Sequence, residues 1–306
     1  MVAFTSALVE CVPNISEGRD RRVIDEIVNA VREVEDISVL GIDPDADHNR
    51  TVITFVGSRE AVKRATLRLV ERAVARIDLN RHRGEHPRMG AVDVIPFVPI
   101  QGVMIADCVV LAEEVGKEIS QRYRIPVYLY DEAARDPRRR NLAEIRRGEF
   151  EEFAAKIERP EWVPDFGEPK IHPTAGVTAV GAHSIPLIAF NVNLGTQDVQ
   201  IAKRIARAVR GSNGGLKDVK ALGFNLKEKG MVQVSMNLTN HRNTPLFRVF
   251  ELIKREAARY GVPIIESEIV GLVPQEALNQ VARDYLQLDH LEDEMILERG
   301  IESARP

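Results

Sequence analysis

The hydrophobic residues of this chain follow one β-α-β-β-α-β order twice, and this repeated order limits the possible folds more than any other feature. In the first half, Val23, Ile27 and Val31 share the spacing of a buried helix face. A second helix is predicted to begin after Ser58, whose hydroxyl can cap it, and to reach about Ile77. The strands of this half are predicted at residues 8–13, 37–42, 51–56 and 92–98. This is the order of the ferredoxin-like split βαβ arrangement.

The second half repeats the pattern. Ile201, Ile205 and Val209 have the spacing of the first helix, and another helix is predicted from Thr244, as its cap, and Pro245, in its first turn, to about residue 260. The strands of this half are predicted at residues 186–194, 219–226, 232–239 and 263–272. Because the βαββαβ order is common, the similarity could also arise by chance. We nevertheless predict an α+β protein of two ferredoxin-like (βαββαβ) subdomains, spanning residues 1–180 and 181–306.

Additional elements separate the two repeats. They are predicted to extend and cover the first sheet, as a helix near 107–122, a strand at 127–130 and a helix from about 141 to 157. The segment from 159 to 183 then carries prolines and glycines without a usable hydrophobic period. Its apolar residues Trp162, Phe166 and Ile171 favour an ordered, functional loop over a disordered linker.

The composition is that of a globular protein with a sizeable core. The chain has 306 residues, of which 44% are hydrophobic, and 42 basic against 46 acidic residues give a net charge of −4. Such a balance provides no overall positive field, so nucleic acid is not an expected partner. The sequence shows neither a signal peptide nor an apolar run of roughly 20 residues, so no membrane association is expected. Two cysteines without a pair motif fit a cytoplasmic, reducing environment.

Residues 82–86 match the His-x-x-Glu-His spacing of one class of zinc hydrolase. A zinc site would require His82 and His86 on one face of a helix, with Glu85 as general base. Gly84 lies inside the motif and Pro87 follows it, so a continuous helix is disfavoured. The remaining histidines and cysteines supply no evident third ligand. We therefore expect a loop and no metal.

Polar side chains accumulate at the strand ends of the first half. His86 sits in a loop, where a histidine near its ordinary pKa can accept and donate a proton around neutral pH. Asp43 and Asp45 are one residue apart on extended chain and would point to the same side, where they could hold a cationic group. Arg50 and Arg88 could grip carboxylates.

Each of these residues also has a purely structural explanation. His86 could be an exposed loop histidine, and His82 is expected to be a solvated residue after the helix end. Asp43 and Asp45 could simply cap the following turn. The two arginines could form exposed ion pairs.

Seven stretches of the sequence are long and distinctive: VECVPNISEG (9–18), NRTVITFVG (49–57), RHRGEHPRMGAVDVIPFVP (81–99), PVYLYDEAA (126–134), WVPDFG (162–167), LIAFNVNLG (187–195) and EIVGLVP (268–274). Together, and in this order, they closely resemble the glutamate formimidoyltransferase family. The resemblance implies transfer of the formimidoyl group from N-formimidoyl-L-glutamate to N5 of tetrahydrofolate, in histidine degradation. It implies two subdomains whose sheets face each other around a folate-binding tunnel, with helices outside, and a homodimer. Tetrahydrofolate would be the co-substrate, and no metal is implied.

The resemblance also assigns residues. The family's catalytic histidine, in Glu-His-Pro-Arg-Met-Gly, corresponds to His86. With it we group Asp45 as a catalytic residue that stabilises charge, and Asn14, Asp43, Arg50 and Arg88 as substrate-binding residues. The family's folate-binding stretch corresponds to Gly167, Glu168, Pro169, Lys170, Ile171, His172, Pro173, Thr174, Ala175 and Gly176.

Two departures from the family accompany the resemblance. Ala175 stands where the animal pattern has an aromatic residue. The animal proteins also carry a cyclodeaminase domain, for which this chain has no room, so we expect cyclisation to belong to another protein. Formyl transfer between N-formylglutamate and folate, and a non-catalytic ligand-binding module, are the alternative functions.

Overall fold

The computed structural model describes residues 7–304, which divide into two compact units. The first unit runs to Pro186 and includes Val270–Leu272, and the second contains Leu187–Ile269 and the residues from Val273 onward. Each unit combines helices with one sheet. The predicted α+β class with two subdomains is therefore confirmed. In the described residues, no helix is both long and apolar enough to span a membrane.

The first unit begins with the predicted β-α-β-β-α-β order, its first strand being interrupted once. Its elements are β1 (Leu8–Cys11), β2 (Asn14–Ile15), α1 (Arg21–Arg32), β3 (Ile37–Asp45), β4 (Arg50–Gly57), α2 (Arg59–Arg76), β5 (Val92–Gln101), α3 (Ile105–Tyr123), β6 (Val127–Asp131), α4 (Leu142–Arg146), α5 (Glu149–Ile157) and β7 (Thr178–Ala182).

These strands form one sheet in the order β3-β4-β1/β2-β5-β7-β6. The pairs among β3, β4, β1 and β5 are antiparallel, whereas β5, β7 and β6 are parallel neighbours. Thus β6 extends the first sheet, as predicted. Strand β7, which lies inside the predicted loop 159–183, was missed because its residues TAVGA are all buried and show no alternation.

Local sequence explains where the helices begin. The carboxylate of Asp20 accepts a hydrogen bond from the Arg22 amide at the start of α1. Ser58 Oγ accepts from the Ala61 amide, 3.3 Å away, so it caps α2 as predicted. The predicted helix from 141 to 157 is instead two helices, broken at Arg147–Gly148, where Gly148 has a φ of 89°.

Strand structure continues beyond two of the predicted strand ends. After the strand predicted at 8–13, Asn14 and Ile15 pair with Val52 and Thr51 as β2. The strand predicted at 37–42 continues through Asp43 to Asp45.

The second unit repeats the element order. Its elements are β8 (Ile188–Leu194), α6 (Val199–Val209), β9 (Val219–Leu226), β10 (Met231–Leu238), α7 (Leu246–Arg259), β11 (Ile264–Val270), α8 (Gln275–Leu286) and α9 (Leu297–Ser303). The strands stand in the order β11-β8-β10-β9, which matches the order β5-β1-β4-β3 of the equivalent strands in the first sheet. The ferredoxin-like assignment and the boundary at residue 180 stay predictions.

Two features of the second unit differ from the sequence analysis. The residue that caps α7 is Pro245, while the Thr244 hydroxyl donates a hydrogen bond to the Lys217 carbonyl. The helices α8 and α9 were not predicted.

In its β3-β4-β1 part, the first sheet packs one face against helices α1 and α2. Val9, Cys11, Ile53 and Phe55 point to these helices and join the main hydrophobic core. Glu10 therefore points to the opposite face. There it lies directly between Val56 of β4 and Val98 of β5.

Glu10 is an unusual residue at such a place. Its side chain is buried, and burial raises its pKa to about 7. Within residues 7–304, no side-chain hydrogen bond of Glu10 is present to offset the loss of water. A carboxylate in this environment destabilises the folded state.

We expect Glu10→Gln to stabilise the protein at pH 8. The folded-state pKa of about 7 lies above the ordinary value of 4.5, so Glu10 costs stability that grows as pH rises from about 4.5 to about 7 and then stays constant. The variant should gain about 1–3 kcal/mol of unfolding free energy at pH 8 and less than about 1 kcal/mol at pH 5. Urea unfolding followed by circular dichroism measures both values.

The matched control is Glu33→Gln, which alters an exposed glutamate at the end of α1. It should stay within about 0.5 kcal/mol of the wild type at both pH values. Equal stability of Glu10→Gln and wild type at pH 8 would show that the carboxyl is not buried as described.

Candidate active site

Three loops of the first unit meet at one edge of its sheet. The Asn49 side chain accepts from the Gly18 amide at 2.9 Å and donates to the Arg83 carbonyl at 2.9 Å, so it joins all three. Gly84 lies so close to the second loop that a Cβ there would be 2.3 Å from the His48 carbonyl oxygen. This contact explains why the residue inside the His-x-x-Glu-His motif is glycine. The polar groups predicted at separate strand ends are thus brought together.

The segment from His82 to His86 is not helical, as predicted. His82 is buried rather than solvated, so that expectation was wrong. Its Nε2 donates to the Asn49 carbonyl at 2.7 Å, and its Nδ1 accepts from Arg88 Nε at 3.1 Å. His82 therefore supports the loop and has no free ring nitrogen. Within residues 7–304, no group of three or more His, Cys, Asp or Glu side chains is placed to hold a metal ion.

His86 is half-buried at the centre of this edge, with Nε2 2.8 Å from Arg50 Nη1. A guanidinium can only donate, so Nε2 accepts and the imidazole is neutral, with its proton on Nδ1. Burial, together with the positive charges of Arg50 and Arg146 and the neighbouring His48, holds the pKa of His86 well below its ordinary value. Burial and Arg146 also lower the pKa of Arg50, to about 10, which leaves it charged at neutral pH.

A carboxylate–imidazole pair lies beside His86. Asp45 Oδ2 contacts His48 Nδ1 at 2.6 Å, and Asp45 Oδ1 accepts from the His48 amide at 2.8 Å. Burial raises the pKa of Asp45, but the hydrogen bonds and charge of His48, together with the charge of Arg50, outweigh it and lower that pKa. The His48 and His86 rings meet edge to face, with centroids 6.0 Å apart. Asp45 thus caps the turn and also joins the site.

His48 was missed in the sequence because it looked like an isolated histidine. The spacing Asp45-x-x-His48 is a signal that could have found it, since an aspartate that caps a turn can also reach a histidine three residues later.

Asp43 and Asn14 occupy neighbouring strands. Asp43 pairs with Val52 and lies two residues before Asp45 on β3, so both carboxylates are on one face, as predicted. The Asn14 side chain donates to the Val12 carbonyl at 3.0 Å. The substrate-binding roles of both residues stay predictions.

The guanidinium of Arg88 forms hydrogen bonds with side chains of the protein itself. Its Nη1 and Nη2 each lie 2.6 Å from an oxygen of Glu151, and Nη1 is also 3.3 Å from Glu149. Its Nε contacts His82. The guanidinium therefore holds the start of α5 against the His86 loop, and a substrate carboxylate would have to compete with these groups.

A buried ion pair near the site was also missed. The register shift between Asn14 and Ile15 leaves Asp93 as the extra residue of a bulge in β5. Its carboxylate accepts from the Met89 amide at 2.7 Å and from Arg146 Nη2 at 2.5 Å. Arg146 lowers the pKa of both His86 and Arg50, so the pair is within electrostatic reach of the site.

The segment from Gly167 to Gly176 lies along the His86 loop. The Leu79 amide donates to the Thr174 carbonyl at 2.9 Å, and the Ala91 amide donates to the Ala175 carbonyl at 3.0 Å. Residues 167–170 are exposed, and Ile171 and His172 are half-buried. The two segments singled out in the sequence are therefore adjacent in the structure.

Two family models match the chain. The N-terminal subdomain of the formiminotransferase domain matches residues 8–183, and the formiminotransferase domain matches residues 189–302.

Several named relatives align over most of the chain. Glutamate formimidoyltransferase of Thermoplasma acidophilum is 50% identical over 300 residues, covering 97% of this chain and 98% of the relative. Glutamate formimidoyltransferase of Streptococcus pyogenes is 48% identical over 282 residues, covering 92% and 94%. Formimidoyltransferase-cyclodeaminase of Gallus gallus is 44% identical, but its alignment covers 93% of this chain and only 53% of that protein. The chain therefore belongs to the glutamate formimidoyltransferase family.

Proposed function

We propose that this protein transfers the formimidoyl group of N-formimidoyl-L-glutamate to N5 of tetrahydrofolate, giving 5-formimidoyltetrahydrofolate and L-glutamate, in histidine degradation. The family and its two named bacterial relatives support this activity. The observation that carries it is a neutral imidazole, His86, at the junction of three loops and in contact with Arg50. Folate is the co-substrate, and the reaction needs no metal.

His86 moves the proton in this reaction. The N5 amine attacks the formimidoyl carbon, and the new N5–C bond leaves a surplus proton on N5. Neutral His86 accepts that proton through Nε2 and then delivers it to the departing glutamate nitrogen as the C–N bond breaks. The same imidazole thus serves first as base and then as acid, and no proton is gained or lost overall.

Arg50 controls when His86 can act. In the structure, Arg50 Nη1 donates a hydrogen bond to His86 Nε2, which is the atom that must accept the proton. A carboxylate of the glutamate substrate would draw the guanidinium to itself, because a charge-assisted pair is stronger than a bond to neutral imidazole. Substrate binding would then expose Nε2 and partly neutralise the charge that lowers the pKa of His86. The base would be activated only with the donor substrate in place.

Asp45 and Asp43 stabilise the formimidoyl group. This group is an amidinium cation when protonated, and the two carboxylates lie on one face of β3 beside Arg50. Asp45 already accepts from His48, but each carboxylate oxygen can accept a second hydrogen bond. Their negative charge would lower the energy of the tetrahedral intermediate.

The remaining site residues have supporting roles. We propose that Asn14 contacts substrate and that Gly167–Gly176 binds folate, since that segment runs along the His86 loop. We propose that Arg88 positions the His86 loop and does not bind glutamate, because its guanidinium already donates hydrogen bonds to Glu151 and Glu149. We also propose that the protein forms a homodimer and acts in the cytoplasm.

We expect turnover with formimidoylglutamate and tetrahydrofolate. Formylglutamate should react at least about 10-fold more slowly, because its neutral formyl group gains less from the acidic pair. Acid conversion of the product and detection of the methenyl form measure both rates. Faster reaction of formylglutamate would overturn the assignment of the donor, and absence of turnover with either donor would favour a binding protein.

His86→Ala should lower turnover by about 100-fold or more, on the scale of general acid–base catalysis, without changing the circular dichroism spectrum. His290→Ala, which alters an exposed histidine, is the matched control and should have wild-type activity. Normal turnover of His86→Ala would exclude His86 as the proton carrier.

Arg50→Met should raise the pKa of His86 toward its ordinary value, because it removes a neighbouring positive charge, although burial should keep the pKa lowered. Imidazole ¹⁵N chemical shifts followed against pH measure this change. The wild-type ring should also show the Nδ1–H tautomer. Arg81→Met, an exposed arginine, is the control, and an unchanged His86 titration in Arg50→Met would contradict the contact.

A further inference from the structure

The helix that carries Arg146 is too short to hold its place alone. Helix α4 has five residues and ends at Arg146, and the chain turns away at Gly148, whose φ is 89°. The last four carbonyl groups of an α-helix have no partner within the helix. The position of Arg146 therefore depends on contacts from outside α4.

Lys156 of α5 supplies these contacts. Its side chain is buried, and its ammonium donates to the carbonyl oxygens of Glu144 at 2.7 Å, Ile145 at 2.6 Å and Arg147 at 2.9 Å. An ammonium has three N–H donors, and three carbonyls at the end of α4 accept from this one. Two of these carbonyls belong to the residues on either side of Arg146. Lys156 thus fixes the backbone around Arg146.

The same ammonium lies over two aromatic rings. Its Nζ is 3.9 Å from the centroid of the Trp162 ring and 5.1 Å from that of Phe153. A cation over an aromatic face is attracted by the ring, most strongly by tryptophan. Trp162 is the single tryptophan of the chain. Lys156 therefore also joins the end of α4 to the segment that follows α5.

A series of contacts continues from Arg146 to the His86 loop. Arg146 Nη2 donates to Asp93 at 2.5 Å, and the Asp93 carboxylate accepts from the Met89 amide at 2.7 Å. Met89 is three residues after His86. The side chains of Arg146 and Asp93 are only 17% and 3% exposed, so water and salt screen their charges little. The location of Arg146 therefore affects both the loop and the charge near His86.

We propose that Lys156 is a positioning residue of the active site, which holds the end of α4 so that Arg146 stays on Asp93 and keeps its charge near His86. A lysine with a purely structural role would stabilise α4 and α5 without affecting the imidazole. The inference rests on the proposed function, because the proton affinity of His86 matters in that reaction.

The first experiment follows the imidazole ¹⁵N chemical shifts of His86 against pH. Lys156→Met removes the ammonium but keeps a long side chain in the same space. The pKa of His86 should then rise, about as much as in Arg146→Met, because the charge of Arg146 moves away. Lys156→Arg, which keeps the charge and the donors, should restore most of the wild-type titration. Lys117→Met, which alters an exposed lysine on α3, should leave it unchanged.

A double variant tests whether Lys156 acts through Arg146. The variant with both Lys156→Met and Arg146→Met should titrate at His86 like Arg146→Met alone, because the two residues act in series. Turnover of Lys156→Met should fall by about 10-fold or more, since the His86 loop loses part of its support.

The single tryptophan allows Lys156 to be observed in the wild type. Burial lowers the pKa of Lys156 to about 8; the charges of Arg147 and Arg159 lower it further, and that of Glu144 raises it. Fluorescence of Trp162 should therefore change with a midpoint near pH 8, because the ring loses the cation that lies over it. Lys156→Met should lack this change.

The other rings beside Trp162 and Lys156 do not interfere with this measurement. Tyr128 meets Trp162 edge to face, with centroids 6.4 Å apart, but burial raises the pKa of its hydroxyl well above this range. Phe153 does not titrate. A fluorescence change near pH 8 that is lost in Lys156→Met thus belongs to Lys156.

The His86 titration decides the proposal. A raised pKa of His86 in Lys156→Met, restored in Lys156→Arg, supports it. An unchanged His86 titration in Lys156→Met, with the Trp162 response lost, overturns it, since Lys156 would then only stabilise the fold. If Lys156→Met does not fold, Lys156→Gln, which keeps two N–H donors without the charge, is subject to the same two outcomes. Failure of the proposed transfer reaction would appear separately, as absence of turnover in the wild type, because the titration is measured without substrates.

Discussion

The contact between Arg50 and His86 is the interaction on which the proposed chemistry of this site depends. A permanent cation 2.8 Å from an imidazole nitrogen keeps the ring neutral and decides which nitrogen carries the proton. Burial and this positive charge together keep the pKa of His86 low, so the imidazole is a weak base whose Nε2 accepts from Arg50. A substrate carboxylate is the natural competitor for Arg50. We propose that the arrangement couples recognition of glutamate to activation of the base through one guanidinium.

The sheet register places these groups within reach of each other. Asp45 pairs with Arg50 across β3 and β4, and Asp43 pairs with Val52. Since side chains alternate along a strand, a shift of one residue would send both carboxylates to the face that packs against helices. The hydrophobic residues Ile53 and Phe55, fully buried on that face, prevent such a shift. The apolar core thus fixes the position of the acidic pair.

The sequence predicted those parts of the fold that have a clear period or cap. Helices α1 and α2 and most strands were found in this way. His86 and the 167–176 segment were singled out through long motifs shared with a family, and their roles stay predictions. Strand β7 has no alternation because both of its faces are buried, so no period could reveal it. The break between α4 and α5 depends on a left-handed Gly148, which one glycine in a helical pattern does not establish.

Other parts of the site depend on contacts that no local pattern encodes. Asp93 reaches Arg146 only because a bulge forms where β5 meets β2, and the two residues are 53 positions apart. His82 is buried only because the Asn49 loop closes over it. The sequence suggested that Arg88 could bind a substrate carboxylate, but in the structure its guanidinium donates two hydrogen bonds to Glu151. Loop residues are therefore the least predictable, since their partners come from distant segments.

The buried side chain of Glu10 lowers the stability of this fold. Strand β1 is otherwise a buried apolar strand, and a buried carboxylate with no partner weakens the folded state without helping any internal contact. Its raised pKa means that the cost is greatest at and above neutral pH, where the carboxylate form predominates. Thr54 adds a second unsatisfied group on the same face. The two groups therefore both lower the stability of the first sheet.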